Sequence, residues 1–262
     1  MFKSKRIMLK PKYIIAGNWK LNKGPAEAKA FCEALSKHLT SVSLQNIDVV
    51  VAPPFISIPG IEAKNFFLSA QDVYWEENGA FTGEVSASML KEIGVKYCIV
   101  GHSERRQLFH ETDRTVNLKV AALLKNNIKP IICVGERIEE RKAGIMYNVV
   151  KFQLSAALFD IQIKNPDELV IAYEPVWAIG TGNVATPQQA EDMHEFIRRL
   201  LENHFGAGIG GKIKILYGGS VTPENISGLI EKEQINGALI GGASLDLDKF
   251  ISIIKYISEK EI

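Results

Sequence analysis

Cysteine is scarce in this chain, and the three present, Cys32, Cys98 and Cys133, form no CxxC pair and no Cys/His ligand spacing. That argues against a disulfide framework and against a zinc centre, and makes a reducing cytoplasm the expected compartment. Charge of one sign is equally lacking: 31 Lys and Arg stand against 30 Asp and Glu, for a formal net charge of +1. With no basic field to neutralise a nucleic-acid backbone or to dock on an anionic membrane, neither is an expected partner, and any anion must be held locally. No apolar run approaches the roughly 20 residues of a transmembrane helix. No GxGxxG follows the first predicted strand, where Gly17-Asn18-Trp19-Lys20 stands instead, which weakens a dinucleotide-binding reading.

What is present is ordinary globular composition, 46% hydrophobic over 262 residues, enough for a sizeable core. Residues 1–12 are rich in Lys and Arg without the apolar stretch of a signal peptide, and read as a short basic surface extension, with Met8 as a second possible start. Beyond it, eight short runs rich in β-branched residues recur: Tyr13–Gly17, Ile47–Ala52, Phe66–Ala70, Tyr97–Val100, Lys129–Cys133, Leu169–Ala172, Ile213–Leu216 and Gly237–Ile240. They do not alternate cleanly between apolar and polar, the pattern of parallel strands buried on both faces. Between them, Ala26–Leu39, Thr112–Lys125, Tyr147–Phe159 and Pro187–Asn203 repeat apolar residues at helical spacing. Thr186-Pro187 and Thr222-Pro223 each look like an N-cap followed by proline at the first helical position. Eight strand and helix alternations without a long linker predict a (β/α)8 barrel over 13–262, a single α/β domain, in preference to an open doubly wound sheet.

In such a barrel function belongs at the C-terminal strand ends. Asn18 and Lys20 follow the first strand, and His102 follows the fourth, where a short helix can begin at Ser103. Glu174 ends the sixth, ahead of Pro175-Val176-Trp177-Ala178-Ile179-Gly180-Thr181-Gly182. A carboxylate ending a buried strand is costly unless solvated, paired or used. The segment after it reads as a lid, with Val176 and Trp177 able to cover a ligand and glycines supplying backbone amides. Gly218-Gly219-Ser220 and Gly241-Gly242 follow the seventh and eighth strands, where barrels commonly cradle a phosphate. One carboxylate base, one imidazole, one ammonium and a phosphate cradle, without a metal cluster or cofactor motif, fit proton transfer beside the carbonyl of a small phosphorylated substrate.

Gly17-Asn18-Trp19-Lys20, Gly79-Ala80-Phe81-Thr82-Gly83-Glu84, Val100 to Arg106, Ala172 to Gly182, Tyr217 to Ser220 and Gly241 to Ser244, in this order, make the chain closely similar to the triosephosphate isomerase family. The resemblance runs from Tyr13 to the last helix. It implies an aldose-ketose isomerase of glycolysis and gluconeogenesis, interconverting glyceraldehyde 3-phosphate and dihydroxyacetone phosphate through an enediolate, with no cofactor and no metal. Glu174 is then the base, His102 the electrophile in the neutral form described for this family, and Lys20 the cation, with Asn18 in support. Gly180, Ser220, Gly241 and Gly242 supply phosphate-binding amides, while Glu104, Ser103 and Thr82 play supporting parts, Glu104 through a buried pairing with Lys20. Gly79 to Glu84 resembles the family's dimer loop, which implies a homodimer.

The sequence departs from the family at Asn183 and Val184, at the end of the lid, where shifted opening or closing rates are expected with activity kept. His38, His110, His194 and His204 are expected at the surface, Cys133 as a packing residue, and Arg105 and Arg106 in structural ion pairs. Competing readings are a barrel enzyme on another phosphorylated sugar, a catalytically silent barrel serving as a binding or scaffold protein, and a metal-dependent hydrolase. The set Lys20, His102 and Glu174, the lid glycines and the lack of clustered ligands argue against the three in turn.

Overall fold

The computed structural model describes residues 13–179 and 185–260. The basic stretch 1–12 and the lid positions Gly180 to Val184, including Asn183, lie outside the described residues. Eight parallel strands close into a barrel in the order β1 to β8: Tyr13–Asn18, Ile47–Ala52, Phe67–Ala70, Tyr97–Val100, Lys129–Val134, Val170–Tyr173, Lys214–Tyr217 and Gly237–Ile240. The helices are α1 Pro25–Leu39, α2 Ala87–Glu92, α3 Ser103–Leu108, α4 Asp113–Lys125, α5 Ile138–Lys142, α6 Met146–Ala157, α7 Pro187–Phe205, α8 Ala207–Gly210, α9 Ile226–Ile230 and α10 Leu247–Glu259. The expected barrel is therefore present. The sixth and seventh strands end one residue later than the apolar runs because Tyr173 pairs with both Val134 and Tyr217.

Both faces of the strands are buried, which explains why the runs read as continuously apolar. Within a strand, alternate residues serve two different cores. Ile14, Ala16, Ile131, Cys133, Val170 and Ala172 fill the barrel interior, while Tyr13, Ile15, Ile132, Val134, Ile171 and Tyr173 pack under the helices. Continuing this period of two puts Asn18, on the last rung of β1, beyond Ala16 and Glu174, just past the end of β6, beyond Ala172, so the pleat itself aims both toward the mouth. Cys133 fills the interior as expected, and burial followed by the nearby Glu174 carboxylate keeps its thiol protonated.

The cap at Thr186 forms as predicted: its hydroxyl accepts from the Gln189 N–H, the Gln189 side chain accepts from the Thr186 N–H, and Pro187 opens α7. The parallel expectation at Thr222 fails. There the Asn225 side chain accepts from the Thr222 N–H and closes a turn, so the helix starts at Ile226. His194 is a second correction, because it is fully buried on α7 with Nδ1 bonded to the Gln234 carbonyl. Its polar neighbours in sequence suggested surface, but the inner stripe of α7 from Ala190 through Ile197 to Leu201 carries it inward. His38, His110 and His204 are exposed. Arg105 pairs with Asp72 and Arg106 with Asp113, as expected. Among the described residues no helix is long and apolar enough to cross a membrane.

Candidate active site

The first strand delivers its side chains through a tight fit. A Cβ at Gly17 would stand 2.9 Å from Ser244 Cβ, so only glycine lets the β8 loop approach. Trp19, fully buried, then donates to the Ser244 carbonyl at 3.2 Å and ties the two loops together. Lys20 follows with φ +53°, a left-handed conformation unfavourable for a side chain of this size. Asn18 Oδ1 accepts from its N–H at 3.1 Å, and Gln71 Nε2 donates to its carbonyl at 2.9 Å. These bonds hold the strained residue with its ammonium in the mouth. Gln71 was missed in the sequence because nothing local distinguishes it from a surface glutamine.

The Lys20 ammonium meets Glu104 Oε1 at 2.6 Å. The pairing is as expected, but its buried character is not: the Glu104 side chain is 43% exposed in the isolated chain. Glu104 also fixes the imidazole. Its backbone N–H donates to His102 Nδ1 at 3.2 Å, so Nδ1 acts as acceptor and the ring proton sits on Nε2. His102 thereby caps α3, which starts at Ser103 as the sequence predicted.

Glu174, 2% exposed, faces this imidazole. Its Oε1 lies 3.0 Å from His102 Nε2 and its Oε2 accepts from the Ser103 backbone N–H at 2.9 Å. Burial without a fixed cation is tolerable because both oxygens have donors. The backbone leaves little slack: a Cβ at Gly218 would approach Glu174 Cγ to 2.9 Å, and one at Gly135 would overlap the Glu174 carbonyl oxygen.

Asn18, Lys20, His102, Glu104 and Glu174 line one cleft of about 500 Å³, and Ser220, Gly241 and Gly242 line the same cleft. Gly241 lies against the Lys20 side chain, while the space a Cβ of Gly242 would enter is open. The Ser220 hydroxyl donates to the Ala178 carbonyl, and Asn225 Nδ2 donates to the Ser220 carbonyl, so the displaced turn at Thr222 anchors the cradle. Ile179 lines the cleft, but Val176 and Trp177 do not. Trp177 Nε1 instead donates to the buried Glu136 at 2.8 Å, with the Arg141 guanidinium 4.9 Å above its ring. In this arrangement Val176 and Trp177 pack outside the cleft, the indole tied to Glu136. Thr82 stays in the exposed loop after β3 and is not brought to the cleft within one chain. Gly180 lies outside the described residues. Among the described residues no group of three or more His, Cys, Asp or Glu is placed to hold a metal ion.

The cleft thus gathers a carboxylate, an imidazole N–H and an ammonium beside glycine-rich turns and a serine. Comparison with known proteins shows the family. The family model described as triosephosphate isomerase matches residues 13–257. A triosephosphate isomerase of Carboxydothermus hydrogenoformans is 50% identical over 252 residues, covering 95% of this chain and 99% of the relative. One from Acetivibrio thermocellus is 48% identical over 249 residues, covering 94% and 98%, and one from Citrifermentans bemidjiense is 48% identical over 253 residues, covering 95% and 99%.

Proposed function

Since the chain belongs to the triosephosphate isomerase family and interconverts glyceraldehyde 3-phosphate and dihydroxyacetone phosphate, a step of glycolysis and gluconeogenesis, we propose that Glu174, His102 and Lys20 carry the reaction. The observation behind this assignment is the 3.0 Å contact between Glu174 and His102 Nε2 in a cleft that also contains Lys20 and both glycine turns. The substrate carbonyl oxygen takes over the His102 Nε2–H, which releases Glu174 Oε1. Glu174 then removes the proton from the carbon beside the carbonyl and returns it to the former carbonyl carbon, while the hydroxyl proton of the first carbon passes to the former carbonyl oxygen by way of the imidazole. Charge developing on oxygen in the enediolate is met by the imidazole N–H and the Lys20 ammonium. The phosphate sits against Ser220, Gly241, Gly242 and Gly180, and Asn18 and Ser103 hold the cation and the resting base. Closure of the lid keeps water from the enediolate.

The working form is a homodimer in which the loop Gly79 to Glu84 meets the partner and Thr82 reaches its Lys20 region. Large apolar side chains support this: Leu21 is 95% exposed, Ile56 74% and Phe109 62%, on loops that follow β1, β2 and β4 around the rim. Such a set is costly in water unless covered. The half-exposed Glu104 beside Lys20 fits the same cover. The compartment is the cytoplasm, in keeping with three unpaired, buried thiols.

A coupled dehydrogenase assay of glyceraldehyde 3-phosphate isomerisation, with Glu174→Gln purified identically, tests the assignment. The variant is expected to keep its fold and lose activity by on the order of a thousandfold or more, as removal of a general base requires. Wild-type turnover in Glu174→Gln would remove Glu174 from the base role.

A further inference from the structure

The end of β5 lies against the backbone of Glu174, and a side chain from the outer helical layer holds it there. Glu174 N–H donates to the Val134 carbonyl at 2.8 Å and Val176 N–H to the Glu136 carbonyl at 3.1 Å. These bonds carry the β5·β6 ladder past the last strand residues and leave Gly135 between them with its N–H and C=O facing the opposite edge. On that edge β4 has already ended at Val100, and the chain turns away at Gly101 with φ +71°. No strand is left to pair with Gly135, and orphaned backbone groups of this kind are costly. Gln153, reaching in from α6, supplies both missing partners: its Oε1 accepts from Gly135 N–H at 2.8 Å and its Nε2 donates to the Gly135 carbonyl at 3.2 Å.

We propose that Gln153 is a positioning residue for the reaction, its carboxamide replacing the missing rung of β4 so that Gly135 fixes the backbone of Glu174. The contact it enforces is close, since a Cβ on Gly135 would stand 1.7 Å from the Glu174 carbonyl oxygen. Room to relax exists beside it, because Gly135, Gln153 and Glu174 border a second cavity of about 180 Å³. Without the clamp, β5 and the base shift into that space, and a displacement of roughly 1 Å can cost on the order of a hundredfold in rate.

The proposal rests on Glu174 being the base, and the test separates the two. Gln153→Met keeps the volume and removes both bonds. It is expected to lower kcat roughly ten- to a hundredfold with KM changed less than about twofold, since Lys20 and the phosphate turns are untouched. Asn117→Leu is the control: Asn117 Nδ2 donates to the Ala157 and Phe159 carbonyls, a similar helix tie away from the cleft, and its loss is expected to lower the unfolding midpoint while kcat stays. Glu174→Asp, alone and combined with Gln153→Met, completes the set. A base already shortened has less to lose, so the two kcat losses are expected to combine to less than their product. Unchanged kcat in Gln153→Met, or losses that multiply fully, would overturn the positioning role. Full activity of Glu174→Asp and Glu174→Gln would instead dismiss Glu174 as the base. If Gln153→Met does not fold, Gln153→Glu, which retains an acceptor for Gly135 N–H, must show the same split between kcat and KM.

Discussion

Among the described residues, two of the sites that bury carboxylates hold them by opposite means. Behind the rim, Lys119 bridges Asp72 Oδ1 at 2.6 Å and Glu111 Oε1 at 2.8 Å, and Arg105 closes on Asp72 Oδ2 at 2.8 Å. Two acids and two bases compensate one another in fixed positions. In the mouth, Glu174 is at least as buried, yet its oxygens rest on a backbone N–H and an imidazole N–H. Hydrogen bonds from neutral donors to a carboxylate contribute about 1.5–3 kcal/mol each and can be exchanged for others, whereas separating a buried ion pair leaves an uncompensated charge. The first arrangement therefore suits a strut and the second a group that must move. Substitutions in the two regions are expected to fail differently.

The largest effect belongs to the strut. Lys119→Met leaves Asp72 and Glu111 facing each other with only Arg105 between them, although burial already pushes the Asp72 carboxyl above its usual range. Loss of about 3–5 kcal/mol of stability is expected, as for other buried pairs broken on one side, read as a lower urea midpoint with turnover per folded molecule retained. A midpoint within error of wild type would show that the network is not a strut, and the contrast with Glu174 would collapse.

His194 sharpens the comparison as a buried titratable group that no ion pair holds. Burial pushes its imidazole down from 6.5 to about 4, helped by the Arg198 charge, and Nε2 has no hydrogen-bond partner. Below pH 6.5 the unfolded chain takes up a proton that the folded chain refuses. The neutral imidazole's advantage is thus complete above that pH and is lost as pH falls toward the folded value, about 3 kcal/mol in all. Urea unfolding at pH 7 and pH 4.5 on wild type and His194→Gln checks this. The variant, which can still donate to the Gln234 carbonyl, is expected to lose less stability on acidification, and parallel losses would refute the assignment.

These contrasts also mark how far the sequence could be read. Strands buried on both faces write their own signature, and Lys20, His102, Glu174 and the two glycine turns stood out because they follow those strands directly. The Lys119 network, the Gln71 tether, the Gln153 clamp and the burial of His194 were not legible. Each joins polar groups far apart in the chain, such as Asp72 with Lys119 or Gln71 with Lys20, through side chains that on their own suit a solvated surface. Their partners exist only once the barrel closes. The start of the lid shows the same dependence, since Trp177 donates to Glu136, an acceptor 41 residues away that its own motif does not announce.

The smallest effect probes how much slack the movable carboxylate has. Gly218 pairs through its N–H with the Tyr173 carbonyl, and a Cβ placed on it would stand 3.1 Å from that oxygen and 2.9 Å from Glu174 Cγ. Its φ lies outside the left-handed region, so alanine is not excluded by backbone strain, and the neighbour that can yield is the Glu174 side chain. Gly218→Ala is therefore expected to cost about 1 kcal/mol of stability or less, but to lower kcat about tenfold by shifting the base, with KM nearly unchanged. The ratio of the two effects is the informative quantity. In the Lys119 strut, stability should fall while turnover holds; at Gly218, turnover should fall while stability holds. A Gly218→Ala enzyme that turns over at the wild-type rate would mean that a carboxylate held by exchangeable neutral donors tolerates displacement at rest because substrate, once bound, resets its position.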